Sequence, residues 1–229
     1  NGLVFTQTFV NNGTLILGSG TTTFSAGLVQ NSGQTQMNNG SVNGSVTINA
    51  GMMMGGGTIN GSLTMAGGTL AVGFSPGTLN IGGNLTLGSA STTAIQLGGT
   101  GAGQYDLINV SGNAALDGAL VVTYWGGFSG GGSFPVMSWG SSSGTFASTS
   151  FPAAGFTLAY GASGMTLDLA AVLPATATAL SNALAEVPVN PLLVMLAMND
   201  PVEDPMMIET DEDGGIRIRS LSGGAQPCR

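Results

Sequence analysis

The chain has 229 residues, 40 of them glycine, a 6% charged fraction and a formal net charge of −8. No basic residue precedes Arg217, so phosphates cannot be neutralised along most of the chain, which argues against nucleic-acid binding and anionic membrane surfaces. Histidine is absent and Cys228 is the single cysteine, which excludes Cys/His metal centres and any internal disulfide.

Asn1 leads directly into LVFTQTFV, Leu3 to Val10. No signal-peptide pattern is visible at this start, and with the composition the expectation is a processed, exported chain. The run alternates apolar residues and carries no charge or proline to block pairing, so it predicts a strand with an adhesive edge. GTLIL at Gly13 follows as a first copy of a recurring pattern. GSVTI at Gly44, GSLTM at Gly61 and GNLTL at Gly83 repeat it at offsets of 17 and 22. GTIN at Gly57 returns as GTLN at Gly77, an offset of 20. Each copy is a short strand with alternating apolar side chains, as in Val46/Ile48, Leu63/Met65 and Leu85/Leu87, bounded by Gly, Asn and Ser turn chemistry.

A period near 20 residues built from short strands and glycine corners is the signature of a solenoid. No segment before Ala170 has helical spacing, which disfavours leucine-rich repeats. The predicted fold is all-β: a right-handed parallel β-helix over residues 1–170, of about eight rungs and roughly 40 Å. Such a coil explains why Asn1 to Tyr105 holds no Asp, Glu, Lys, Arg or His. Like residues stack about 5 Å apart along the axis, where charges would repel and neutral Asn, Thr and Ser can form hydrogen-bonded ladders. The acceptor triplets at Asn12, Asn39, Asn43, Asn60, Asn84 and Asn109 are read as such stacked asparagines rather than glycosylation sites. Met52 to Met54 read as core or interface filling.

The run GGTLAVGFSPGTLNIGGNLTLGS, followed by YDLINVSGNAALDGALVV from Tyr105, resembles the β-helical passenger regions of bacterial autotransporters and filamentous-haemagglutinin-type surface proteins. The family's S-P-G-x-L step is matched by Ser75, Pro76, Gly77, Thr78 and Leu79. Its Tyr-Asp pattern is matched by Tyr105, Asp106, Val110, Gly112, Ala114, Leu116 and Gly118. Phe134, Val136, Gly144 and Phe146 resemble the last rungs. Two departures stand out: Val72 and Gly73 replace the usual Pro-Gly, and no translocator barrel pattern follows. The resemblance covers roughly Gly57 to Leu169 and implies an architecture and a bacterial surface location, not a ligand.

Asp106, Asp117 and Asp168 are the only carboxylates before Glu186. Glycosidases and lyases on such scaffolds need clustered carboxylates, so no catalytic residue and no cofactor are assigned. Asp106 and Asp117 are read as turn residues bonding their own backbone. GGTGAGQYD, Gly98 to Asp106, lacks the carboxylate of the calcium nonapeptide at its sixth position, Gly103. In the tail, DPVED and TDEDGG read as acidic turns before calcium ligands.

Residues 171–191 form a proline-rich linker with a possible short helix between Pro174 and Pro188. Residues 192–229 form a docking tail. LLVMLAM, Leu192 to Met198, is too short to span a bilayer. MMIET and IRIRS flank a glycine turn and predict a hairpin. The assembly candidates are Leu192, Leu193, Val194, Met195, Leu196, Met206, Met207, Ile208, Ile216, Ile218 and Cys228, the last either an intermolecular link or an idle thiol. Two functions fit: a structural subunit of an extracellular filament that polymerises end to end, or a monomeric adhesin-type module for a glycan or host surface. A carbohydrate-active enzyme is the outsider.

Overall fold

The computed structural model describes residues 2–74 and 76–169, together with the backbone of two strands at Met206–Thr210 and Ile216–Ser220. The chain divides into two units, Asn1–Val172 and Leu173–Arg229.

The first unit is all-β among its described residues. Its strands run β1 (Leu3–Phe5), β2 (Phe9–Asn11), β3 (Thr14–Leu17), β4 (Thr21–Phe24), β5 (Leu28–Gln30) and β6 (Gln34–Asn43). Next come β7 (Val46–Ile48), β8 (Met52–Ile59), β9 (Leu63–Val72), β10 (Thr78–Ile81), β11 (Leu85–Leu97) and β12 (Leu107–Leu116). The last are β13 (Ala119–Tyr124), β14 (Gly132–Gly144), β15 (Ser148–Ser150), β16 (Phe156–Tyr160) and β17 (Gly164–Leu169). All belong to one 17-stranded sheet.

Pairing up to β15 is parallel and sorts the strands into three ladders. The first holds β1, β4, β10 and parts of β6, β8, β12 and β14. The second holds β2, β5, β7 and parts of β9, β11, β12 and β14. The third holds β3, β13, β15 and the other parts of β6, β8, β9 and β11. Each ladder is seven strands deep, one fewer than the sequence period suggests. The reason is that the spacing is not fixed: bonded partners lie 17 residues apart at Asn43 and Asn60, but 29 apart at Asn80 and Asn109.

The recurring copies lie side by side, with Val46 opposite Leu63 and Leu63 opposite Leu85. The GTIN copies need a correction. Ile59 pairs with Ile81, not with Leu79. This two-residue slip keeps every side chain on its face, because strand side chains alternate with a period of two. GTLIL also changes place: β3 stands in the third ladder, opposite Gln34 to Met37, apart from both sets of later copies.

Alternation then builds the core. Val42, Ile59, Ile81, Val110 and Trp139 follow one another in the first ladder and are all buried. Leu28, Val46, Leu63, Leu85 and Ala114 do so in the second. Met53 is buried between half-buried Met52 and Met54. Outward positions carry neutral ladders. Asn60 Nδ2 donates to Asn43 Oδ1 at 2.6 Å, Asn109 Nδ2 to Asn80 Oδ1 at 2.9 Å, and Asn49 Nδ2 to Asn31 Oδ1 at 2.8 Å. Glycine serves a geometric need at one corner. Gly51 and Gly68 have φ of 84° and 76°. A Cβ on Gly51 would overlap the Gly33 carbonyl oxygen, and one on Gly68 that of Gly51. Only a residue without a side chain fits this column.

One polar cluster lies inside. Asn11 Nδ2 donates to Gln30 Oε1 at 3.2 Å and to the Gln34 carbonyl at 2.9 Å. Thr35 Oγ1 donates to Gln30 Oε1 at 2.7 Å, and Gln30 Nε2 donates to the Ala50 carbonyl at 2.9 Å. Buried amides of this kind are tolerated because each finds partners.

The far end departs from the expected parallel pairing. β17 pairs antiparallel with both β14 and β16. Only residues 161–163 separate β16 from β17, and so short a link permits a hairpin but no parallel crossover. In the second unit β18 (Met206–Thr210) and β19 (Ile216–Ser220) pair antiparallel, Ile208 opposite Ile218 and Glu209 opposite Arg217. The short helix expected between Pro174 and Pro188 lies outside the described residues.

Candidate functional site

The most distinctive surface is the edge made by β1, β2 and β3. Each pairs on one side only among the described residues: β1 with β4, β2 with β5, β3 with β6. Their outer N–H and C=O groups therefore face away from the sheet. Side chains reinforce this exposure. Leu3 is 61% exposed, Val4 57%, Val10 51% and Ile16 59%. Behind them Phe5, Phe9 and Phe24 pack with ring centroids 4.8 to 5.5 Å apart. These rings anchor the edge strands on the core, leaving the aliphatic residues as an uncharged, strand-ready surface. The opposite end is different in kind, being covered in the first ladder by the β16–β17 hairpin. There Trp139 Nε1 donates to the Ala162 carbonyl at 3.2 Å, and Phe151 stacks on Phe156 at 5.3 Å.

The structure separates the three body aspartates. Asp106 precedes β12, Asp117 precedes β13, and Asp168 lies in β17 near the far end. Asp117 accepts the N–H of the next residue, Gly118, at 2.7 Å, as a turn residue does. Asp106 does not. It is fully buried, and its carboxylate accepts the Gly77 N–H at 2.8 Å and the Gln96 N–H at 2.7 Å. The reading of Asp106 as a local turn residue is thus corrected: it ties together three segments from two neighbouring levels. One donor, Gly77, belongs to the Ser-Pro-Gly step and the other, Gln96, to β11, a connection to Asp106 that spacing alone does not reveal. Among the described residues, no group of three or more His, Cys, Asp or Glu could hold a metal ion.

Burial pushes the Asp106 pKa up to about 6 from 3.8, against the opposing pull of the Gly77 and Gln96 N–H groups. The folded state therefore holds this proton more tightly than the unfolded chain. Its contribution to stability is complete below about pH 4 and is lost as pH rises to about 6, a change of roughly 3 kcal/mol. Thermal melts followed by circular dichroism should show the body more stable at pH 4 than at pH 7. Asp106→Asn should flatten that difference; an equal difference in the variant would refute the assignment.

Of the assembly candidates, Met206, Met207 and Ile208 lie in β18 and Ile216 and Ile218 in β19. Leu192, Leu193, Val194, Met195, Leu196 and Cys228 lie outside the described residues, as do the acidic turns DPVED and residues 211–215. The edge residues Leu3, Val4, Val10 and Ile16 were signalled by the LVFTQTFV run and by GTLIL. No family model, no curated protein and no solved structure matches this chain.

Proposed function

We propose that the first unit is a right-handed parallel β-helix and that the chain is a structural subunit of an extracellular bacterial surface filament. The helical reading rests on the three ladders, in which one circuit of the chain supplies one strand to each. The hand follows from the strong preference of parallel crossovers for right-handed connections. Rungs then stack about 4.8 Å apart, and growth means adding another rung.

The observation that carries the assembly reading is the open β1–β2–β3 edge with its exposed Leu3, Val4, Val10 and Ile16. A surface without charge, whose three strands each pair on one side only among the described residues, favours the addition of further strands. The tail hairpin then clasps the neighbouring subunit, and self-association rather than nucleic acid or membrane insertion is the partner chemistry. No catalytic step is assigned, since each body aspartate stands alone. A bacterial cell-surface location follows from the resemblance to passenger regions and from the composition.

Electron microscopy and sedimentation of the full chain test this reading. The double variant Val4→Lys, Val10→Lys places charges on the outermost strands without touching the core. It should remain folded by circular dichroism and sediment as single subunits where the parent forms filaments. Filaments of normal length from the variant, or isolated rods from the parent, would overturn the proposal.

A further inference from the structure

The loops that join the third ladder to the first lengthen in the middle of the body. Residues 73, 74, 76 and 77 lie between β9 and β10, residues 98–106 connect β11 to β12, and residues 125–131 connect β13 to β14. They lie against one another. Asp106 accepts from Gly77, and the Trp125 N–H donates to the Leu97 carbonyl at 2.8 Å. A Cβ placed on Gly98 would lie 3.2 Å from Trp125 Cδ1 and 3.4 Å from Pro76 Cγ, so the indole and the proline ring flank the Gly98 backbone.

This corner keeps large apolar groups in water. Phe74 is 49% and Trp125 43% exposed. Of the other large exposed apolar side chains among the described residues, Leu3, Val4, Val10 and Ile16 belong to the open edge and Tyr160 to β16. Phe74 and Trp125 are therefore the flank's own apolar feature. Trp139 shows the contrast: it is 4% exposed and its Nε1 is bonded. Trp125 is an amphipathic ring placed where binding residues commonly stand, on loops held by a rigid scaffold.

The surroundings select the ligand. Asp106 is buried beneath the loops, and Thr100 and Gln104 at the surface are neutral. Gln104 Oε1 accepts the Gly101 N–H at 2.9 Å, which pins the loop and leaves the amide at the rim. Anionic and cationic ligands find no countercharge here. A pyranose with equatorial hydroxyls offers what the corner lacks: an apolar C–H face for the indole and hydroxyls for uncharged polar groups. We propose that this corner is a binding ledge for a neutral β-linked glycan, with Trp125 as its platform. The ledge lies apart from the open edge and does not depend on assembly.

Trp125 and Trp139 are the only two tryptophans, so intrinsic emission reports on the site. The full chain is titrated with cellohexaose, laminarihexaose and mannohexaose. At least one should give a saturable blue shift and shield the emission from acrylamide. Trp125→Ala should abolish that shift and weaken retardation in a hydroxyethylcellulose or laminarin gel by ~10-fold or more, with an unchanged melting temperature. No emission change with any of the three sugars would overturn the proposal. So would a change that survives in Trp125→Ala, or shielding of Trp125 by raised protein concentration alone, which would mark the corner as a contact between copies.

Discussion

Leu63→Asp should unfold the first unit or lower its stability by about 3–5 kcal/mol, the cost of a buried charge left without a partner. Leu63 is fully buried, with Val46 on one side and Leu85 on the other, so no rotamer carries a carboxylate to water without opening the ladder. Ile48→Asp should behave alike, since Ile48 is equally buried. The adjacent Thr64 is the control. It points outward between Thr47 and Thr86, and Thr64→Asp should change stability by less than about 1 kcal/mol. Urea denaturation followed by circular dichroism reads all three. Equal midpoints for Leu63→Asp and Thr64→Asp would mean that the faces are assigned wrongly.

Deleting Glu186 to Arg229 should abolish stable filaments while leaving a folded body. The physical reason is the division of the chain after Val172: the parallel ladders and their core lie wholly in the first unit, which the deletion leaves intact. The deletion removes eight of the 11 acidic residues and all three arginines, so a fall in solubility has to be separated from a loss of assembly. Sedimentation in parallel with circular dichroism does this. Filaments of the truncated chain indistinguishable from those of the parent would dismiss the clasp. Outright unfolding would show instead that the tail completes the body.

The sequence was most legible where one copy repeats another with few changes. GSVTI, GSLTM and GNLTL differ only by conservative replacements, and alternation alone placed Val46, Leu63 and Leu85 against the core. It was less legible where two registers satisfy the same alternation. The offset of 20 for GTIN and GTLN and the observed pairing of Ile59 with Ile81 both put apolar residues inward. Only the pairing with the neighbouring strands decides between them. Long-range polar contacts were illegible altogether. Asn11, Gln30 and Thr35 meet across segments 19 and 24 residues apart, and nothing in their local pattern marks them as buried. Asp106 was misread for the same reason: a lone aspartate after a glycine-rich loop looks like turn chemistry until its donors, 29 and 10 residues away, are known. The open edge was visible because it is a local property, an alternating apolar run with no gatekeeping charge. Phe74 and Trp125 carry no local pattern, each being a single residue; the one signal in the sequence is the growing distance between copies at that corner.

The neutral ladders have a consequence for ionic strength. Surface ion pairs weaken as salt screens them over a Debye length of about 10 Å at 0.1 M. Hydrogen bonds between amides and hydroxyls, such as Asn60 to Asn43 and Ser138 to Asn109, carry no net charge to screen. The body holds Asp106, Asp117 and Asp168 as its only charged side chains, so its stability owes nothing to counter-ions. At moderate ionic strength, where screening is the main effect of salt, this part of the molecule should respond little, and the charged tail should respond most.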